Sequence, residues 1–182
     1  MNDVCYVDTF FSSIQSARYS CWNLVSYKRT ALDDIYLTRR RAQSPSTLTR
    51  LVSECDAPTT IKSDNAPEFK SKRWVLFLET MSIRSEFTEA HHPNKNLGKR
   101  CGGNIKATVH LLRITRCPLE LWCYLLEHVC SLLTILARHS LDWSTLYKLH
   151  WGKRPDISMF HFIFWEPIRY LNPCQAFPRP RC

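Results

Sequence analysis

Three short apolar or β-branched runs open the chain, at Val4 to Phe11, Cys21 to Tyr27 and Ile35 to Thr38. The breaks between them, "SSIQSARYS" and "KRTALDD", are polar enough for hairpin turns, so the pattern predicts a three-stranded antiparallel start. Ser44-Pro45 then reads as a helix N-cap followed by proline at the first helical position, leading into "STLTRLVSEC". After Asp56-Ala57-Pro58, the run "TTIKSD" predicts a short strand ending on Asp64, and "NAPEF" follows it with turn chemistry.

Trp74, Phe77, Leu78 and Met81 recur at helical spacing and predict one core-facing helical stripe. "SIRSEFTEAHHPN" alternates before breaking at Pro93, as a strand followed by a loop does. From Leu97 onward, Ile105, Val109 and Leu112 hold helical spacing although Gly102-Gly103 weakens the first turns, and a second long helix is expected from Pro118 to about Arg138. The order of three strands, helix, strand, helix, strand, helix, helix predicts an α/β fold: a mixed five-stranded sheet covered by helices on both faces.

From Ser140 the pattern changes. Trp143, Trp151 and Trp165 stand among prolines at 155, 167, 173, 178 and 180, too many breakers for a further packed helix of any length. The expected division is a core over residues 1–139 and an irregular C-terminal extension or linker over 140–182.

Charge narrows the partner class. The 182 residues carry 25 basic and 16 acidic side chains, a net charge of +9, which favours a polyanion such as nucleic acid, with an anionic membrane surface as runner-up and a merely soluble surface as the bland alternative. The most apolar run, Leu121 to Ala137, is interrupted by Glu127 and His128 and falls short of the ~20 residues a spanning helix needs, so no membrane partner is expected. No charged-then-apolar leader opens the chain, and an intracellular protein is the expectation. Nine scattered cysteines, odd in number and without a Cys-x-x-Cys pair, read as buried thiols rather than as a disulfide framework or a zinc site.

Two carboxylates stand out. Asp8 lies inside the apolar segment "CYVDTFF", where a buried acid needs a partner, and Asp64 ends another strand. If the first and fourth strands are neighbours, the two acids face each other at short range, and a divalent cation between them relieves their repulsion, as in a Mg²⁺ site for phosphoryl transfer.

"SDNAPEF", the loop "EFTEAHHPNKN" and the basic helix after it resemble the catalytic core of copia-type LTR-retrotransposon integrases, in the retroviral-integrase, ribonuclease-H-like superfamily. "STLYKLHWGKRPDISMFHFIFW" is similar to the segment that follows that core, with Gly152, Pro155, Asp156 and Ser158 matching its pattern. The resemblance implies a ribonuclease-H-like fold, Mg²⁺- or Mn²⁺-dependent joining of element DNA ends to target DNA, a nuclear location and work as a homo-oligomer. It assigns the first and second catalytic, metal-ligating acids to Asp8 and Asp64, supporting roles to Asn65 and Glu68, and DNA contacts to Lys95, Arg100 and Lys106. Lys72, Arg73 and Arg39 to Arg41 are further phosphate-contact candidates. Adjacent His91 and His92 point to opposite sides of an extended loop and are given a structural or DNA-proximal role.

The family's third acid is a glutamate just before an arginine. Here Lys99 precedes Arg100, with one residue fewer than usual between Asp64 and this position. A lysine removes a ligand and opposes cation binding by several kcal/mol. Neither Glu86, Glu89 nor Glu120 is well placed to replace the glutamate. Ala66 stands where the family has glycine and Leu146 where it has proline. The expectation is therefore an integrase core without a working site, which retains DNA binding. The alternatives are a non-enzymatic nucleic-acid or protein interaction module, or an unexpressed relic of a transposon polyprotein.

Overall fold

The computed structural model describes residues 3–88, 109–110, 114–158, 160 and 165–167. The three opening strands are β1 (Val4–Ser16), β2 (Tyr19–Tyr27) and β3 (Asp33–Thr38), followed by α1 (Ser44–Glu54), β4 (Thr60–Ser63), α2 (Lys72–Thr80) and β5 (Arg84–Phe87). These five strands form one sheet in the order β3-β2-β1-β4-β5. The hairpin strands pair antiparallel, whereas β1 with β4 and β4 with β5 pair parallel. The mixed five-stranded sheet of the sequence reading is present.

Helices cover both faces. On one side Leu48 and Leu51 of α1 and Trp74 and Leu78 of α2 pack against Cys5, Val7, Val25, Tyr36 and Ile61 of the sheet. On the other, α3 (Trp122–Ile135) sets Trp122, Leu125, Leu126 and Val129 against Phe10, Trp22 and Leu24. Alternate residues of β1 and β2 therefore enter different cores, which is why these central strands read as continuous apolar runs. Phe77 of the expected α2 stripe is only partly buried and Met81 is exposed, because the helix ends at Thr80.

Several boundaries differ from the sequence reading. The first break is much shorter than "SSIQSARYS": β1 continues past a register irregularity to Ser16, and the turn is confined to Ala17 and Arg18, with Ala17 at φ 51°. The polar extension has a packing role. The Trp122 indole N–H donates to the Ile14 carbonyl oxygen at 2.7 Å, while the Ser16 hydroxyl donates to the Glu120 carbonyl oxygen and accepts from the Cys123 N–H at 3.2 Å. Strand polarity there serves the start of α3.

Ser44 is the first residue of α1, not its cap. Its hydroxyl donates back to the Arg41 carbonyl oxygen at 2.9 Å, and the cap position falls on Gln43, which makes no side-chain cap bond. The helix expected over Pro118 to Arg138 begins as a 3-10 turn, Leu119–Leu121, and ends at Ile135. Ala137-Arg138 (β6) instead pairs antiparallel with Ser144-Thr145 (β7). The helix expected from Leu97 lies almost wholly outside the described residues; Val109, which is described, packs against the α3-side core.

The segment after Ser140 corrects the expectation of no packed helix. Thr145 accepts the Lys148 N–H at 3.0 Å and caps α4 (Leu146–Trp151). Leu146 is 2% exposed in the core beside α1 and α2, and the His150 ring meets Tyr27 edge-on at 5.1 Å. The breakers start only at Gly152, whose φ of 71° closes the helix in the left-handed region that favours glycine. A six-residue helix fits before them.

Cys5, Cys21, Cys117, Cys123 and Cys130 are buried thiols and Cys55 is half-buried; all six are unbridged. Leu146→Ala is expected to cost about 2–4 kcal/mol of unfolding free energy in denaturant titration, whereas Leu149→Ala, on the exposed side of α4, should stay within about 0.5 kcal/mol. Equal, small effects would show that α4 contributes little to the core.

Candidate active site

Parallel pairing of β1 with β4 brings the two acid-bearing segments together. The register runs from Val4 opposite Thr60 to Val7 opposite Ser63, so the next residues are Asp8, inside β1, and Asp64, just past the end of β4. Parallel strands lie about 4.8 Å apart, so the backbones of the two acids are neighbours. The condition posed by the sequence, that strands one and four be neighbours, holds.

Each acid is held by its own backbone. Asp8 is 5% exposed and its Oδ1 accepts the Thr9 N–H at 3.0 Å. The Asp64 Oδ1 accepts the Ala66 N–H at 3.1 Å, the turn chemistry that "DNA" suggests. Ala66 has φ −67° and ψ 149°, ordinary extended backbone, so the exchange of glycine for alanine carries no conformational strain at this position.

Immediately after Asp8 a buried polar cluster fixes β1 to α1. Asn23 is fully buried; its amide donates to the Thr47 hydroxyl at 2.7 Å, and its Oδ1 accepts from Thr9 at 3.0 Å and from Ser44 at 3.4 Å. An internal amide satisfied in this way specifies one arrangement of strand and helix, since any shift strands a buried donor or acceptor. The sequence signal, a lone asparagine in the apolar run "CWNLVSY" opposite Thr9, was present but carries no chemistry alone.

Glu68 lies in the 3-10 turn Pro67–Lys70, as an acid in its first turn, but it is buried rather than solvated. Its Oε1 meets the Arg41 Nε at 3.5 Å, while Arg41 in turn lies 4.5 Å from the centre of the Phe11 ring. Asn65 is exposed beside it.

Lys95, Lys99, Arg100, Lys106, His91, His92 and Glu89 lie outside the described residues. Glu86 is committed to Lys62 across the β4–β5 pair at 2.6 Å, and that ammonium holds its carboxyl below the usual range. Glu120 sits in the 3-10 turn that leads into α3. Lys72 and Arg73 are exposed on the first turn of α2, and Arg39 to Arg41 are exposed between β3 and α1.

The donor set can be tested against a hard divalent cation. Two carboxylates suit its preference for oxygen, yet among the described residues no group of three or more His, Cys, Asp or Glu side chains converges to hold a metal. Asp8 and Asp64 are two oxygen donors of the kind such a cation takes. The described residues by themselves do not complete a two-metal centre.

The strand order and the flanking helices are shared with solved structures. The catalytic core domain of HTLV-2 integrase in complex with magnesium, in its trimeric form, superposes with a TM-score of 0.66 at 17% identity, covering 82% of this chain and 96% of that one. The fold is that of a retroviral integrase catalytic core. The dimeric form of the same HTLV-2 domain gives a TM-score of 0.63 at 18% identity over the same shares. A simian T-cell lymphotropic virus intasome, solved in complex with PP2A regulatory subunit B56 gamma, gives 0.65 at 16% identity, covering 94% of this chain and 59% of that one. No protein-family model and no curated protein matches the sequence, so the likeness to integrase cores is one of fold. Among the described residues no helix is long and apolar enough to cross a membrane.

A cleft of about 550 Å³ lies away from the acids, between β3, α3 and α4, lined in part by Asp34, Glu127, Tyr147 and Trp151. Burial there pushes the Asp34 carboxyl up to about 6, helped by the negative charge of Glu54 and Asp33. A folded-state value above the unfolded one means that protonated Asp34 favours the fold at low pH, and this contribution is lost as pH rises through about 6. Asp34→Asn is therefore expected to raise stability at pH 7 by about 1–2 kcal/mol, allowing for partial exposure, and to flatten the fall in stability between about pH 4 and 6. Denaturant titrations at several pH values check this; an Asn variant with an unchanged pH profile would refute it.

Proposed function

We propose that this chain is the catalytic core of a copia-type retrotransposon integrase, built for Mg²⁺- or Mn²⁺-dependent strand transfer to DNA and disabled by Lys99 at the third acidic position. The observation that supports this reading best is the parallel β1–β4 register, which makes Asp8 in mid-strand and Asp64 just past β4 neighbours within an integrase-core fold. When bound, the metal would supply Lewis-acid stabilisation of the phosphoryl oxygens and activation of the attacking hydroxyl. Asp8 and Asp64 are the residues that would hold it. Asn65 and Glu68 support that corner, and Lys95, Arg100 and Lys106 contact DNA phosphates.

The reading accounts for the remaining features. A net charge of +9 suits a polyanionic partner whose binding falls with salt. The HTLV-2 neighbours were solved with magnesium and as dimeric and trimeric forms, and a homo-oligomer working on DNA in the nucleus is the corresponding proposal here. A lysine at the third acidic position exchanges a metal-ligating carboxylate for an ammonium, a change of two units of charge that removes the chemistry. The chain then persists as a DNA-binding module.

Strand transfer of an element-end oligonucleotide into plasmid, with Mn²⁺ or Mg²⁺, tests the assignment. The unmodified chain should be silent and Lys99→Glu active, with activity lost again on adding Asp64→Asn. Activity in the unmodified chain would overturn the role given to Lys99. Silence of folded Lys99→Glu would overturn the claim that one residue disables the site.

A further inference from the structure

The Arg41 side chain occupies a corner that neither the catalytic acids nor the hydrophobic core explains. Its guanidinium is held from two directions by the two segments that carry the acids. Phe11, three residues beyond Asp8 on β1, stacks its ring 4.5 Å from the Arg41 Cζ; Glu68, four residues beyond Asp64, meets the Arg41 Nε at 3.5 Å. Arg41 itself sits in the 3-10 turn Arg41–Gln43 that joins β3 to α1, and its carbonyl oxygen accepts the Ser44 hydroxyl of the Asn23 cluster. One arginine thus ties three corners of the candidate site.

The exposures on the two sides of the ion pair are unequal. The Glu68 side chain is 1% exposed and the Arg41 side chain 50%. A carboxylate buried to that degree is expensive, and the Arg41 pair is its only ion pair among the described residues, with Oε2 making no hydrogen bond there. A guanidinium carries five N–H donors in a rigid fork, and contact through Nε leaves the N–H groups of the two terminal amino groups for other acceptors. Phe11 is itself 50% exposed, so ring and guanidinium form an open platform rather than a closed core contact.

We infer that Arg41 is a preoriented anchor for a DNA phosphodiester, with Glu68 and Phe11 as its positioning residues. A planar, always-charged fork fixed in direction matches phosphate geometry, and fixing it beforehand removes the entropy that a loose surface arginine loses on binding. The place in the fold is suited to the task. The anchor contacts both acid-bearing segments, through Phe11 of β1 and through Glu68 of the turn after Asp64. The inference rests on the nucleic-acid reading of the site, and it assigns to that site a residue outside both the acids and the basic cluster Lys95, Arg100 and Lys106.

Fluorescence anisotropy of a labelled DNA duplex, titrated with the full chain over a series of salt concentrations, tests it. Loss of one phosphate contact lowers the slope of log affinity against log salt by about 0.9. Arg41→Gln should show that decrease and weaker binding. Because it leaves Glu68 buried without its cation, the neutral pair Arg41→Gln with Glu68→Gln is measured alongside and should show the same decrease. Glu68→Gln alone gives a test of sign. If the acid positions Arg41, its loss weakens DNA binding severalfold although a negative charge has been removed; if it is only a local repulsive charge, binding tightens.

An unchanged slope in both Arg41 variants, or tighter binding by Glu68→Gln, overturns the anchor while leaving DNA binding by the protein intact. Absence of any salt-dependent binding by the unmodified chain overturns the nucleic-acid reading and the anchor with it.

Discussion

Four residue pairs along β1 and β4 carry more of this structure than any side-chain contact. Their parallel register places the end of the second hydrophobic segment beside the middle of the first, and everything chemically distinctive in the chain gathers at that point. A parallel pair cannot be closed by a tight turn; it needs a crossover, and the chain supplies one through β2, β3 and α1. The side-chain period of two makes the register unforgiving, since a one-residue slip would turn Ile61 out of its core and put Lys62 in its place.

The interior near that pair is held by polar groups as well as apolar ones. Asn23, Thr9, Thr47 and Ser44 form a closed hydrogen-bonded set next to Asp8, while Glu68 and Arg41 form an open, half-solvated pair next to the Asp64 turn. The two devices differ in kind. A satisfied neutral cluster favours one geometry at little electrostatic cost, whereas a buried carboxylate with one cationic partner brings a desolvation penalty that apolar packing would avoid. That contrast locates the part of the corner whose chemistry exceeds the needs of the fold.

Much of the fold was legible in the residues. Apolar runs broken by polar turns marked β1, β2, β3 and β4, and helical spacing marked α2 and α3. What stayed illegible has definite causes. The polar stretch after Phe11 looks like loop by composition but is strand, because its backbone and Ser16 bond to the start of α3, a partner more than a hundred positions away. α4 was hidden by the prolines after it, although Thr145 to Trp151 contains no breaker and Leu146 had a core to enter. The two acids could be nominated from their settings, yet their juxtaposition depended on strand order, which local pattern does not encode. Arg41 was visible only as one of three consecutive arginines, and nothing in that run distinguished the one that meets Glu68.

The departures from the integrase pattern separate two kinds of constraint. Ala66 adopts backbone angles open to any residue, and Leu146, where proline is usual, opens a helix while filling the core. Both positions require a shape, which several side chains can satisfy, so the fold absorbs the exchange. A ligand position requires one chemistry, and a lysine there differs from a glutamate by two units of charge however well it packs. A chain released from catalysis would lose the second kind of residue first and keep the first kind for as long as the β1–β4 register and the two cores remain worth more than the entropy they cost. On the proposed reading, an intact sheet with two of three acids is the expected intermediate of that path, and an arginine still gripped by a buried carboxylate is what a retained nucleic-acid surface would preserve.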